Sequence, residues 1–228
     1  MYLALIPAFN EEKSIVNIIK ETKKYVDRVV VVDDSSTDRT GKLARDSGAT
    51  VLQHSENQGV GAAMITGIIY AKKLKPDIVV ILDADGQHRP KDIPRLMQPI
   101  IEGKAGLVLG SRFLQRSPDN MSAIKKYGNR FLTFMINVLV GTRLTDAQTG
   151  FRAFSRKALL ALSLRSKFTY TQEMLLILCL KGYRCFEIPI QVNSRKYGNS
   201  KVASNIVGYA LRSLIIIFST YLLLRTRR

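Results

Sequence analysis

The residues with the most evident chemistry in this chain are Asp83 and Asp85, two carboxylates spaced i, i+2, followed by Gly86, the amide-bearing Gln87 and His88. They come directly after Val79-Val80-Ile81-Leu82, a run that reads as a short strand buried on both faces. In an open α/β sheet, ligands bind at the carboxyl ends of the strands. Oxygen donors from Asp and Gln suit Mg²⁺ or Mn²⁺, which take few protein ligands and leave positions for substrate phosphates. Asp83, Asp85 and Gln87 therefore read as metal ligands for a nucleoside diphosphate. An isolated Asp-x-Asp is also a common solvated turn, so the choice depends on what else reaches the same edge. Asn10-Glu11 and Asp33-Asp34 each follow a strand-like run, and Gly59 and Gly61 open a helix. Acids at three strand ends make a site a stronger reading than a turn.

The elements that must position these residues follow in order. Residues 2–6 read as a first buried strand closed by Pro7-Ala8-Phe9-Asn10, and Glu11-Glu12 open a helix with Ile15, Ile18 and Ile19 at helical spacing. Arg28–Val32 predict a second strand, Thr37-Asp38 a cap for a helix over 38–47, and Val51-Leu52 a third strand. A helix opens at 57–61, the fourth strand ends at Asp83, Pro90–Ile101 predict a helix, and Leu107–Leu109 a fifth strand ending in Gly110-Ser111-Arg112. Strands alternating with helices predict an α/β fold with a parallel sheet covered on both faces.

Composition narrows the classes. The chain has 228 residues, 46% of them hydrophobic, which fits one globular domain with at most a small appendage. A formal net charge of +17 calls for an anionic partner: phosphorylated substrates, a phospholipid surface or nucleic acid. No recognition motif or basic–aromatic interleaving supports nucleic acid, so a nucleic-acid-binding protein is only a remote alternative. The first strand is not followed by G-x-G-x-x-G and no G-x-x-x-x-G-K-[ST] occurs, which argues against a dinucleotide-binding enzyme and a P-loop NTPase. Cys179 and Cys185 lack a C-x-x-C pattern and read as buried reduced thiols. Met1 leads straight into a strand without a cleavable leader, so the catalytic part is expected in the cytoplasm.

Six stretches taken together resemble a known family. Pro7–Glu12, Val32–Asp38 and Asp83–His88 look like the signatures of family-two glycosyltransferases. Gly110-Ser111-Arg112, Thr149–Phe154 and Arg195–Lys201 narrow the resemblance to dolichyl- or polyprenyl-phosphate sugar synthases of the dolichol-phosphate mannose synthase type. The resemblance covers residues 3 to 202. It implies a GT-A fold, with a catalytic domain over 1–202 and a membrane-associated helix and basic tail over 203–228.

The resemblance also implies roles. Pro7, Asn10, Glu11 and Asp33 would contact the nucleoside, with Ala8, Asp34, Gly59, Asp83 and Ala84 completing the nucleotide surface; a turn or capping role is the alternative for Asp33. Asp83, Asp85 and Gln87 would hold Mg²⁺ or Mn²⁺ against the diphosphate, Asp85 being central to catalysis. His88 reads as a solvated loop histidine, with a role as ligand or ligand support as the alternative. The acceptor would be dolichyl or polyprenyl phosphate. A phosphomonoester is mostly anionic at neutral pH, so it needs cationic positioning more than a general base. Arg112, Lys126, Arg130, Arg195 and Lys201 are the candidate cations, and Lys126 stands where family members often have Arg. Asp146, Gln148 and Thr149 would line the donor-sugar pocket. Glu173 reads equally as a base or sugar-binding acid and as a helix-start acid. The implied reaction is an inverting, metal-dependent transfer of a hexose or N-acetylhexosamine from GDP-mannose, UDP-glucose or UDP-N-acetylglucosamine. A transferase acting on a sugar hydroxyl or glycolipid is the alternative, and it would need Glu173 as base.

Two segments point to a membrane surface. Ile124–Val140 combine Lys125, Lys126 and Arg130 with Phe131, Phe134, Ile136 and Val138, which reads equally as an interface helix over about 122–140 and as a core helix of the acceptor half. Residues 206–224 are apolar apart from Arg212, a costly charge at a bilayer centre, and Arg225, Arg227 and Arg228 follow. The expectation is monotopic attachment at the cytoplasmic face. Gln115–Asn120 read as a mobile loop over the site.

Overall fold

The computed structural model describes residues 1–115, 121–193 and 206–226. Its centre is a seven-stranded sheet of β1 (Tyr2–Ala8), β2 (Arg28–Asp33), β3 (Thr50–Gln53), β4 (Ile78–Ile81), β5 (Leu107–Ser111), β6 (Arg152–Ser155) and β7 (Cys185–Pro189). The spatial order is β3-β2-β1-β4-β6-β5-β7. The expected parallel pairing holds for β1 beside β2 and β4, β2 beside β3, and β5 beside β7. β6 departs from it: this strand runs antiparallel between β4 and β5, with Arg152 opposite both Ile81 and Leu109. Its four residues, Arg-Ala-Phe-Ser, are too few and too mixed to show a strand period. The sheet is therefore mixed.

Helices cover both faces because the strands are apolar on both. Along β1, Ala4 and Ile6 face α1 (Ile15–Thr22), α2 (Thr40–Asp46) and α4 (Ile93–Ile101). Leu3 and Leu5 face α3 (Val60–Leu74), α5 (Ala123–Val140), α6 (Arg156–Ala161), α7 (Thr171–Leu180) and α8 (Ile206–Arg225). Each such fully buried Leu or Ile contributes about 1.5–3 kcal/mol relative to exposure. The expected helix over Pro90–Ile101 divides into a tight turn at Pro90–Asp92 followed by α4. Proline lacks an N–H and is tolerated in a first turn, so Pro90 starts the tight turn and Pro94 sits in the first turn of α4. α5 is delimited by its own chemistry. The Ser122 hydroxyl accepts from Lys125 N at 3.4 Å, and Gly141, at φ 68°, takes the left-handed cap conformation that favours glycine.

α8 lies against α5 and α7 and buries Ile217 in the same core as Leu3 and Leu5. Its window Gly208–Arg225 has a mean hydropathy of 1.3, and among the described residues this is the one helix long and apolar enough to cross a membrane. The expected boundary at 202/203 and the residues Arg195, Lys201, Arg227 and Arg228 lie outside the described residues, as does most of the expected loop 115–120. Cys179 and Cys185 are free and half-buried rather than fully buried, with their sulfurs 2.8 Å apart.

Candidate active site

Because β1, β2, β4 and β5 all point the same way, their carboxyl ends bring Asn10, Asp33, Asp83 and Arg112 to one edge of the sheet. β6, entering from that edge, brings Asp146–Phe151 with it. The first two loops lock together through side chains. Asn10, left-handed at φ 54°, receives Thr37 N on Oδ1 at 2.8 Å, while its own N–H donates to Ser36 Oγ at 2.9 Å. Glu11 N donates to Thr40 Oγ1 at 2.8 Å, and Ser35 is also left-handed, at φ 61°. Two strained non-glycine residues at adjacent strand ends are a mark of a functional edge.

Asp33 and Asp34 have different uses. Asp33 is 1% exposed and accepts Ser36 N at 3.1 Å, with Gly41 packed so tightly on Oδ2 that a Cβ there would collide. Asp34 Oδ1 meets His54 Nδ1 at 2.7 Å and Gln58 N at 2.9 Å, and Oδ2 accepts Gly59 N at 2.8 Å. His54 Nε2 in turn meets Thr66 Oγ1 at 2.9 Å. Asp34 thus braces the start of α3. Gly61 completes the seal, donating its N–H to Lys167 O at 3.1 Å where a side chain has no room. Pro7 is half-buried, and Ala8 and Ala84 are buried, with Ala84 O accepting Ser14 Oγ at 2.6 Å.

Asp83 and Asp85 stand beyond β4. Asp83 Oδ2 lies 3.6 Å from His88 Nδ1, and Asp83 N donates to that nitrogen at 3.3 Å. Gly150 presses on the Asp83 carboxylate: a Cβ there would stand 2.6 Å from Oδ2. Asp85 Oδ1 accepts Gln87 N at 3.0 Å, and Gln87 Nε2 donates to Asn193 O at 3.5 Å. His88 corrects the expectation of a solvated loop histidine. It is 5% exposed and stacks on Phe151 with centroids 5.2 Å apart and planes 18° apart. Burial lowers its pKa to about 4, so at neutral pH it is an uncharged brace behind the acids. The apolar partner, Phe151, is distant in sequence, which hid this.

The donor set fits a hard divalent cation held mainly by substrate. Among the described residues no three acidic, His or Cys side chains converge as a closed cage. Asp83, Asp85 and Gln87 offer the few oxygens that Mg²⁺ or Mn²⁺ requires when phosphates supply the remainder.

Arg112, expected to meet a phosphate, is held by Asp146. Nε and Nη2 donate to the two carboxylate oxygens at 2.7 and 2.9 Å, and Asn129 Nδ2 on α5 adds a bond to Oδ1 at 2.8 Å. Burial alone would lower the Arg112 pKa, but Asp146 outweighs it and the value lies above the usual one. Burial likewise opposes ionisation of Asp146, and Arg112 holds it below the usual carboxylate range. Asp146 is thus the anchor of the cation. Gln148 N returns to Asp146 Oδ1 at 3.3 Å, and Thr149 is buried, its hydroxyl accepting Phe151 N at 3.3 Å.

Two residues that position this loop escape a sequence reading. Glu187 on β7 accepts Thr145 N at 2.8 Å and Asp146 N at 2.9 Å, with its pKa raised by burial against those bonds. Its one signal is an acid inside the otherwise apolar Cys185–Pro189. Arg152 is fully buried and donates to Thr149 O, Ala147 O and Thr171 O at 2.8, 2.7 and 2.6 Å, tying the loop before β6 to the start of α7.

Of the other expected residues, Lys126 shares the α5 face of Asn129 and Thr133, whereas Arg130 is exposed. Glu173 accepts Arg165 N at 2.8 Å and Ser166 N at 2.9 Å, so both oxygens brace the loop that seals α3, and burial raises its pKa. 

A sequence-family model described as Glycosyl transferase family 2 matches residues 4–162. The chain is 36% identical to a UDP-N-acetylglucosamine–dolichyl-phosphate N-acetylglucosaminyltransferase of Methanococcus voltae, covering 91% of each chain. It is 32% identical to an undecaprenyl-phosphate mannosyltransferase of Micrococcus luteus, covering 92% of this chain and 90% of that one. Among solved structures it superposes on glucosyl-3-phosphoglycerate synthase from Mycobacterium tuberculosis, in complex with Mn²⁺, UDP and phosphoglyceric acid. The TM-score is 0.77 at 21% identity, over 97% of this chain and 78% of that one. That likeness establishes the GT-A architecture.

Proposed function

Since the chain belongs to glycosyl transferase family 2, and is thus a glycosyltransferase, we propose that it moves a sugar from a nucleotide donor to a polyprenyl or dolichyl phosphate. The observation that carries this reading is the pair of full-length relatives above, which differ in sugar but share a lipid-phosphate acceptor in their names. The geometry supports it. Asn10, Glu11 and Asp33 stand at the edge where the nucleoside would lie, and Asp83, Asp85 and Gln87 where the diphosphate would meet Mg²⁺ or Mn²⁺. When bound, that ion would neutralise the departing nucleoside diphosphate. An oxygen of the acceptor phosphate attacks the anomeric carbon, the bond from that carbon to the diphosphate oxygen breaks, and its electron pair leaves with the nucleotide. Attack from the opposite face inverts the anomeric centre. A phosphate nucleophile needs no strong base, which agrees with a Glu173 whose oxygens are both engaged by backbone N–H groups.

A radiolabelled-transfer assay with a panel of nucleotide sugars tests the reading. Metal-dependent label in a lipid-phosphate sugar is the expected product, with one donor preferred. Label appearing in a glycolipid hydroxyl instead, and lost in Glu173→Gln, would establish the alternative transferase.

The lipid acceptor requires contact with a bilayer, and α5 and α8 offer it. Ile124, Tyr127, Phe131, Phe134 and Val138 form an exposed stripe on α5, each more than half exposed. Leu211, Ile215, Phe218 and Leu222 form another on α8. Lys125 and Arg130 flank the first and Arg225 ends the second, complementing anionic headgroups at the cytoplasmic face. Burying a Phe side chain is worth about 1.5–3 kcal/mol. In a flotation assay with anionic vesicles, Phe131→Asp with Phe134→Asp is therefore expected to lower binding at least about tenfold. Undiminished flotation would show that α8 alone holds the protein.

A further inference from the structure

Cys179 and Cys185 are the two cysteines of the chain, and their sulfurs stand 2.8 Å apart. Unbonded sulfurs ordinarily keep a wider separation. An S–S bond is about 2.05 Å long, so a shift of less than about 1 Å would join this pair. Both residues are half-buried with free thiols, which leaves them within reach of a small oxidant.

The meeting follows from how the chain turns between them. Cys179 lies in the last turn of α7, and Cys185 opens β7. Gly182, left-handed at φ 81°, reverses the chain just after the helix. Gly182 N donates to Cys179 O at 2.9 Å and Tyr183 N to Leu178 O at 3.0 Å, which fastens the turn back onto α7. On the far side, Tyr183 OH donates to Lys157 O at 3.0 Å, and its ring packs closely on Gly106. Arg184 O accepts Gly106 N at 2.9 Å, and Cys185 itself pairs with Leu107 of β5. The backbone is thus fixed on both sides of the pair, and the sulfurs are held together before any bond forms. Contact with Cys179 and burial push the Cys185 thiol up, so Cys185 keeps its proton until the bond is made.

We propose that Cys179 and Cys185 are a redox-modification site, forming a reversible disulfide that staples α7 to β7. The inference goes beyond the transferase reading and does not depend on which donor or acceptor is used. The oxidant is a small-molecule disulfide. The Cys179 thiolate attacks one of its sulfurs, giving a mixed disulfide and releasing one small thiol. Cys185 then attacks the Cys179 sulfur, gives up its proton, and expels the second small thiol. The protein loses two electrons and two protons, and the small disulfide gains both as two thiols. The staple ties together elements that frame the Arg112–Asp146 pair. Glu187 of β7 holds Thr145 N and Asp146 N, and Arg152 joins the loop before β6 to Thr171 O at the start of α7.

The test is incubation of the full chain with oxidised glutathione, then alkylation of remaining thiols and digestion with trypsin. Lys181 and Arg184 lie between the cysteines, so reduced protein yields them on separate peptides. Oxidised protein is expected to yield those peptides linked, with both cysteines protected from alkylation and the chain still monomeric on a non-reducing gel. Its melting temperature should rise by about 5 °C, a rise abolished by dithiothreitol and absent in Cys179→Ser and Cys185→Ser. Alkylation of both thiols after oxidation would overturn the proposal. Glutathione retained on one cysteine, or a bond formed only between two copies, would overturn it as well. A linked pair that leaves the melting temperature unchanged or lowers it would remove the staple.

Discussion

Asp85→Ala is expected to reduce sugar transfer by about 10²–10³-fold while leaving the melting temperature nearly unchanged. Asp85 is half-exposed, and the bond it accepts from Gln87 N, at 3.0 Å, lies within its own turn. Its side chain is half-exposed, so truncating it opens no buried cavity. What it removes is negative charge at the place where the proposed function seats a cation-bound diphosphate. Higher Mn²⁺ should recover part of the activity if the lost function is metal affinity, so the measurement is rate against metal concentration for both proteins. Equal rates in EDTA and Mn²⁺ for the wild type, with Asp85→Ala fully active, would remove the metal from the reaction.

Asp146→Asn should act by the opposite route, through stability first. Asp146 is fully buried and binds Arg112 through two oxygens, with Asn129 as a third partner. An amide cannot balance the guanidinium, and breaking a buried pair from one side costs about 3–5 kcal/mol. The pH dependence has a definite sign. Because the folded-state pKa of Asp146 is depressed, its contribution is present above the unfolded value of about 3.9 and is lost as pH falls through the lower folded value. Wild-type stability should therefore fall in acid below about pH 4, and the Asn variant should lack that component. Replacing both members, as Arg112→Met with Asp146→Leu, removes the unpaired charge and should restore much of the stability. Transfer should stay low in that double variant if Arg112 serves the phosphates. A double variant that is stable and fully active would make the pair purely structural.

Several features of the candidate site were legible in local sequence because their chemistry is local. An apolar run ending in Asp-Ala-Asp-Gly-Gln places acids at a strand terminus whatever surrounds it, and the same holds for Val32-Asp33-Asp34. The limits of α5 were equally legible, since Ser122 and Gly141 act within a turn of the helix they delimit. Asp33 and Asp34 illustrate where legibility stops. They are identical and adjacent, yet successive residues at a strand end point to opposite sides. One accepts Ser36 N beside Gly41 and the other turns to His54 and α3, and nothing in the pair itself records which.

The chain's own order of residues thus determined the alternation of strands and helices, the acids at the strand ends, and the apolar character of α8. Those follow from side-chain period and backbone preference, which act over a few residues. Only the tertiary structure decided that β6 enters the sheet in reverse, and that reversal delivers Asp146, Thr149 and Gly150 to the same edge as Asp83 and Arg112. It also decided that Arg112 is gripped by a carboxylate and that His88 lies under Phe151. Each of these depends on burial and on partners far apart in the chain. A residue's charge, tautomer and hydrogen bonds are set by the neighbours that folding gives it, and no local pattern encodes them.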